Sequence, residues 1–453
     1  GFYDKSNDEP KTGYPISLKV YSRPVYGYEL ATMTAKRLTN FLKVPAERRR
    51  PRNESELEAY YFALKVPEYL ELKRAEAINN ARYNHIYDQA TVSLVMEEKD
   101  SPASAFILER GEYDKPTEEV FANVPEALGG LPENAPKNRL SLAKWLIDPD
   151  NPLTARVTVN RFWQNYFGIG IVETAEDFGV MGQNPTHPEL LDWLAIHFQE
   201  TGWDVKNLIR LIVNSATYKQ SSQMDPQEYA IDSENRYLAR GARYRLDGEV
   251  LRDQALFVSD SMNPKVGGRP VKPYQPEGIW NAVAYSDSNT AHFSQDYGDA
   301  LYRRSLYTFW KRTAPPPNMV VFDVPSRETC NVRRERTNTP LQALTLMNDP
   351  QFVEAARQLA ERVMQEESAS EKDRILQMYS YAFGAPPKDK HHDILHNSYK
   401  TFFKSFDERP QDAKQLVQVG DSYPTPNLDP VQLASLTMVA NQIMNLDSFI
   451  NKN

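Results

Sequence analysis

Asp349-Pro350-Gln351-Phe352-Val353-Glu354-Ala355-Ala356-Arg357-Gln358-Leu359-Ala360-Glu361-Arg362-Val363-Met364-Gln365 is the stretch from which the fold class follows. An Asp followed by a Pro is a helix start: the carboxylate accepts from free backbone N–H groups, and the proline's missing N–H costs nothing in the first turn. Behind it Val353, Ala356, Leu359, Ala360 and Val363 recur at helical spacing, so one face is apolar. A helix of this length gains its stability by packing that face on a partner. Reading outward predicts further helices over 140–147, 154–167, 188–200, 205–216, 247–260, 341–347, 371–383, 388–406 and 431–448. Thr186 with Glu189 has the spacing of a capping box ahead of Leu190, Leu191 and Leu194.

The front of the chain reads differently. Residues 1–45 are irregular, with alternating pieces such as Ile16 to Tyr21; residues 54–81 predict one long helix. Thr91 to Met96 and Ala105 to Glu109 predict two strands around a polar turn at 99–102, and the Pro/Gly/Asn-rich run 116–137 predicts a connecting loop. The expected architecture is therefore mainly α, a multi-helix domain with long Pro/Gly-rich loops and a small β-containing N-terminal part. A boundary near residue 135 divides it into 1–135, the end of an upstream domain, and 136–450, the helical domain.

The chain of 453 residues carries a net charge of −8, with 40% hydrophobic and 11% aromatic residues, enough for real cores. That charge, without a Lys/Arg tract or zinc or helix-turn-helix pattern, excludes a general nucleic-acid binder. No apolar run approaches the length of a membrane span, and residues 1–30 have no hydrophobic signal core. Cys330 is the only cysteine, so an internal disulfide, a Cys-x-x-Cys knuckle and a Cys-x-x-Cys-His haem attachment are excluded within the chain. Its neighbours Arg327 and Arg333 would favour a thiolate, but no His lies near in sequence to activate it.

Against this acidic background residues 301–342 are basic. Arg303, Arg304, Lys311, Arg312, Arg327, Arg333, Arg334 and Arg336 face only Asp323, Glu328 and Glu335, a local charge of +5. The segment ends on Thr339-Pro340-Leu341-Gln342, a Thr-x-x-Gln capping box whose free N–H groups add a positive helix end. Such a place attracts anions; the competing reading is a salt-bridge network with carboxylates from elsewhere in the fold. On the helix over 154–167, Arg156, Asn160 and Gln164 share one face. Asn160 and Arg161 can bind a sugar hydroxyl or a carboxylate, or bond between helices. Phe167-Gly168-Ile169-Gly170 lacks the third glycine of a dinucleotide fingerprint. His392 and His396 have one-turn spacing but no third ligand for zinc, so no metal site is expected.

Several longer motifs carry a resemblance. Asn138-Arg139-Leu140, Ala143-Lys144-Trp145-Leu146, Pro152-Leu153-Thr154-Ala155-Arg156-Val157-Thr158-Val159-Asn160-Arg161-Phe162-Trp163, Glu173-Thr174-Ala175-Glu176-Asp177-Phe178-Gly179 and His187-Pro188-Glu189-Leu190-Leu191-Asp192-Trp193 belong to it. So do Lys272-Pro273-Tyr274-Gln275-Pro276, Tyr302-Arg303-Arg304-Ser305-Leu306-Tyr307, and the run from Arg327-Glu328-Thr329-Cys330 to Asn348-Asp349. The pattern, over roughly residues 85–450, resembles the planctomycete-type domain of unknown function 1553.

The resemblance implies an exported, periplasmic protein associated with cytochrome c and with polysaccharide metabolism. This domain commonly ends a longer chain that also holds a cytochrome module and a sister domain. A c-type haem is then expected in a partner chain or upstream module, with no cofactor in this chain. Two functions follow. In the first the chain is the substrate-binding half of a cytochrome-linked oxidoreductase acting on sugars or sugar acids. Arg327, Arg334 and Arg336 clamp an anionic group, Lys311 and Arg312 add charge, Asn160, Trp163 and Gln342 contact hydroxyls and ring faces, and Glu328 or Asp253 is the base. In the second it is a non-catalytic structural or glycan-binding module of a cell-envelope assembly.

Overall fold

The computed structural model describes residues 42–48, 51–89, 93–97, 104–285, 288–366 and 370–452. The irregular reading of the first forty residues, the piece at 16–21 and the turn at 99–102 lie outside them. The chain forms two compact units, Gly1–Glu98 and Lys99–Asn453.

In the first unit the single helix expected over 54–81 is two helices, α1 (Pro51–Lys65) and α2 (Pro67–Gln89). The break is at Pro67. The Val66 N–H still closes on Phe62 O at 2.9 Å, but Pro67 has no N–H to continue the ladder and restarts it as the first residue of α2. Phe62 and Tyr69 bridge the break with ring centroids 5.6 Å apart. Of the strand expected over 91–96, the described residues 93–96 have no regular structure.

In the second unit β1 (Ala105–Leu108) instead pairs antiparallel with β2 (Pro116–Val120), in what the sequence suggested was the start of a loop. The turn decides this partner: Arg110 and Gly111 take positive φ of 51° and 77°, and Glu109 N–H bonds Lys115 O at 3.0 Å. Beyond it come α3 (Arg139–Leu146), α4 (Thr154–Phe167), α5 (Pro188–Glu200), α6 (Val205–Asn214) and α7 (Pro226–Ile231). The strand β3 (Tyr244–Arg245) precedes α8 (Gly248–Val258) and the short α9 (Pro317–Val320). The C-terminal part holds α10 (Pro340–Asn348), α11 (Pro350–Gln365), α12 (Glu371–Phe383), α13 (Asp389–Glu408), α14 (Pro410–Val417), α15 (Pro430–Met444), α16 (Asp447–Ile450) and β4 (Asn451–Lys452). The fold is mainly α, with two two-stranded sheets among the described residues.

Local chemistry sets most helix ends. Asn138 caps α3 by accepting from Ser141 N–H at 3.0 Å, Asp204 caps α6, and Asp349 caps α11 by accepting from Gln351 N–H at 3.0 Å. The capping box expected at Thr186 does not form. The Thr186 backbone N–H is drawn to Ile171 O at 3.1 Å, and His187 takes the cap position without a side-chain bond. The helix expected over 431–448 ends at Met444 and resumes as α16 because Leu446 is extended, at φ −65° and ψ 143°.

Two apolar cores organise this unit. The larger is built on α11 against α15, where Ala355, Ala356, Leu359, Ala360 and Val363 meet Leu433, Ala434, Leu436, Val439, Ala440 and Ile443, all essentially without exposure. The alanines let the two backbones approach closely, and each buried leucine, valine or isoleucine contributes about 1.5–3 kcal/mol. Ile375 and Met378 of α12, Leu395 of α13 and Ala413 of α14 close the ring around α15. The smaller core joins α4, α5 and α6 through Val159, Trp163, Phe167, Leu191, Leu194, Phe198, Leu208 and Ile212.

Between α8 and α10 the chain runs from 261 to 335 with only short helical turns and isolated bridges at Asn263–Arg303 and Val271–Thr308. Buried charge holds it. Arg252 of α8, 2% exposed, donates to Leu301 O at 2.6 Å, Arg303 O at 2.8 Å, Ser305 Oγ at 3.1 Å and Gln351 Oε1. Arg303 in turn donates to the carbonyls of Lys265, Gly267 and Arg269. From α11, the buried Glu354 accepts from the phenols of Tyr274 and Tyr302, each at 2.9 Å, and from Ser422 N–H at 2.8 Å. A buried charge is tolerable when it is hydrogen-bonded in this way.

Candidate functional site

The basic segment is where sequence reading placed the site, and its charge is engaged throughout. Arg334 forks onto Glu249 of α8 with Nη1–Oε2 at 2.6 Å and Nη2–Oε1 at 3.2 Å, with Asp247 at 3.6 Å. Arg327, held at φ 62°, reaches Glu249 at 4.0 Å and lies 4.4 Å over the Trp310 ring. Arg312 meets Glu328 at 3.6 Å, Arg333 meets Glu176 at 3.2 Å, and Arg304 meets Asp253 at 3.5 Å. Lys311 donates to Thr290 O at 2.7 Å. Arg336 donates to Gly168 O at 2.9 Å, the C-terminal end of α4, where a cation complements the helix dipole, and covers the Tyr244 ring at 4.4 Å. The competing reading, a salt-bridge network, describes this geometry.

The expected helix-end anion site is also occupied. Gln342 Oε1 accepts from Thr339 N–H at 3.3 Å, while its amide donates to Val321 O at 3.0 Å and Thr337 Oγ1 at 3.2 Å. Asp323 takes the Thr337 N–H at 2.9 Å and also pairs with Arg245. Asn160 is fully buried, its amide donating to Val172 O and accepting from Val172 N–H, both at 2.9 Å. It fastens the turn after α4, where a Cβ on Gly170 would stand 2.6 Å from its nitrogen. Trp163 is buried and stacks on Phe167 at 4.2 Å. Arg161 is exposed, beside a shallow depression lined with Thr158, Phe162 and Asn165.

Neither expected base stands free. Asp253 accepts from Ser305 N–H at 2.7 Å and lies between Arg252 and Arg304. Glu328 is half exposed beside Arg312, and Cys330 is exposed. His392 bonds Lys372 O at 3.0 Å, while burial and nearby cations lower the pKa of His396. Among the described residues no three His, Cys, Asp or Glu side chains converge as a metal site requires.

A cavity lies elsewhere in the second unit. A cleft of about 580 Å³ separates the loop 127–136 from one face of α3, which carries Ser141, Lys144 and Trp145 at helical spacing, with Asp148 just past the helix end. Asp150 and Asn151 close its end. Trp145 is held by its indole N–H, which donates to Gly129 O at 3.0 Å across the cleft. Asn151 ties the floor: its oxygen accepts from Leu153 N–H at 3.0 Å and its nitrogen donates to Trp145 O at 3.3 Å. Asp148 Oδ1 takes the Asp150 N–H at 3.0 Å. The sequence reading passed over this place, although its parts are local: a Gly/Pro run directly ahead of a short helix carrying a tryptophan.

These features define a two-core helical protein with a buried-charge loop region and a Trp-walled cleft. The family model described as "Protein of unknown function (DUF1553)" matches residues 138–399, more than half of the chain, and the protein belongs to that family. The match takes in α3 and its wall of the cleft, the smaller core and the basic segment. No curated protein and no solved structure matches the chain. Among the described residues no helix is long and apolar enough to cross a membrane.

Proposed function

We propose that this chain is a glycan-binding module whose ligand lies in the cleft beside Trp145. The observation that carries the reading is the composition of that cleft: an indole anchored by Gly129 O, with Ser141, Lys144, Asp148 and Asp150 around it. Sugars are bound by aromatic surface for their C–H faces and by a few fixed polar groups for their hydroxyls. One lysine against two aspartates leaves the lining with a net charge of −1, which suits a neutral sugar or an amino sugar better than a sulfated or uronic one. The arginines support the same reading from the other side. An anionic substrate at Arg327, Arg334 and Arg336 would have to displace Glu249 and the Gly168 carbonyl, and Asp253 already serves Ser305 and Arg304.

The test is isothermal titration of the full chain with cellohexaose, chitosan hexamer and an alginate hexamer. The neutral or amino hexamer is expected to bind, and Trp145→Ala to weaken binding at least tenfold while helical content stays unchanged. No saturable binding to any of the three, or binding indifferent to Trp145→Ala, would overturn the reading.

A further inference from the structure

The cleft beside Trp145 holds charges that the protein itself leaves unpaired. Asp148 spends one carboxylate oxygen on the Asp150 N–H at 3.0 Å and keeps the other, while the Asp150 carboxylate has neither a hydrogen bond nor an ion pair among the described residues. Lys144 forms no ion pair among them either, so neither aspartate is neutralised from within. Ser141 is a second and independent sign. It lines the same cleft at 6% exposure, its backbone N–H goes to Asn138 Oδ1, and its hydroxyl has no partner among the described residues. A hydroxyl more than nine-tenths buried costs free energy until a ligand or a water bonds it.

Resting on the reading of this cleft as a glycan site, we infer that its ligand is an amino sugar whose ammonium is taken by Asp150 and the second oxygen of Asp148. Such a sugar carries its ammonium beside a hydroxyl on the next ring carbon. Ser141 can donate to or accept from a hydroxyl, Lys144 can only donate to one, and the Trp145 indole takes the C–H face of the ring. With one lysine against two aspartates, a single ammonium brings the lining to neutrality. A neutral sugar leaves both carboxylates to water, and a sulfate or uronate adds to the negative excess.

The test titrates the full chain with chitosan hexamer and cellohexaose, which share one linkage and backbone and differ only in an ammonium or a hydroxyl at C2. In mildly acidic, low-salt buffer the amino hexamer is expected to bind at least fivefold more tightly. The factor is modest because Asp148 and Asp150 are exposed and screened. Asp150→Asn is expected to remove most of the preference, and Glu408→Gln, which takes the same charge from the exposed end of α13, to keep it. Equal affinity for the two hexamers would overturn the amino-sugar assignment and leave the Trp145 reading standing; no binding of either would overturn both. A preference that survives Asp150→Asn, or that Glu408→Gln lowers as much, would mean attraction to the acidic surface at large and would also overturn the assignment.

Discussion

The α11–α15 core and the 261–336 loop region lie side by side in one unit and are held together by opposite means. The core is alanine, leucine and valine at helical spacing, with partners supplied by shape. The loop region is held by guanidinium and carboxylate groups reaching in from α8 and α11 to backbone carbonyls, phenols and a serine. Apolar burial is non-directional and forgives small shifts. A buried arginine with four acceptors is directional, and its loss takes a donor from all four at once. The comparison teaches that a long stretch without secondary structure can still have one conformation when its backbone carbonyls are counted and paired.

The sharpest way to break the comparison is to remove one residue from each side. Arg252→Ala leaves the Arg303 carbonyl and the oxygens of Ser305 and Gln351 without this donor, and the Leu301 carbonyl with only the Gln351 amide. The expected loss is about 3–5 kcal/mol, the range for breaking a buried charge network. Leu359→Ala should cost about 2–5 kcal/mol by cavity formation. The two should differ in where they act. Hydrogen exchange should rise across 261–310 in Arg252→Ala while α15 stays protected, and should rise in α11 and α15 together in Leu359→Ala. Uniform exchange in Arg252→Ala would mean that loop and core unfold as one body.

Alkaline pH should separate the same two regions more gently. Burial and the neighbouring Glu354 push the Tyr302 phenol up to about 12 and raise that of Tyr274 as well. In the fold these phenols keep protons that the unfolded chain releases near pH 10, so the native state binds more protons and stability falls as pH rises. Their contribution is fully present below pH 10 and is lost as pH climbs through about 12. Denaturant midpoints should therefore fall over this interval, and Tyr302→Phe, which cannot titrate, should flatten the fall. A wild-type slope unchanged in Tyr302→Phe would detach the effect from this network.

The same division explains what could be read from the sequence. Helices with an apolar stripe were legible almost to the residue, as α4, α5, α11 and α12 show, whether their cap was Leu153, His187, Asp349 or Ser370. At Pro67 the helical reading ran through the break and hid it, whereas α14 (Pro410–Val417) had no reading in the sequence at all. The strand β2 was missed because Pro116-Thr117-Glu118-Glu119-Val120 is polar and wholly exposed, so no burial pattern marks it. The arginines were visible as a cluster, but their function depended on partners far along the chain: Glu249 is 85 residues before Arg334 and Gly168 is 168 before Arg336. No spacing rule reaches that far. Asn160 likewise looked presentable on its helix face, and only the turn back to Val172 buried it.

The smallest expected effect bears most directly on that misplaced emphasis. Arg334 is about a third exposed and Glu249 less so, so water and salt screen their fork despite its bidentate geometry. Arg334→Ala should therefore cost about 1 kcal/mol, near the top of the range for solvent-reached pairs, and added salt should shrink the difference from wild type. Binding in the Trp145 cleft should not change, because none of the cleft's lining residues belongs to the basic segment. An Arg334→Ala protein that keeps its stability but loses glycan affinity would return the arginines to the ligand and place Trp145 outside the site. One that loses about 1 kcal/mol and keeps its affinity identifies the fork as a clasp between α8 and the end of the loop region.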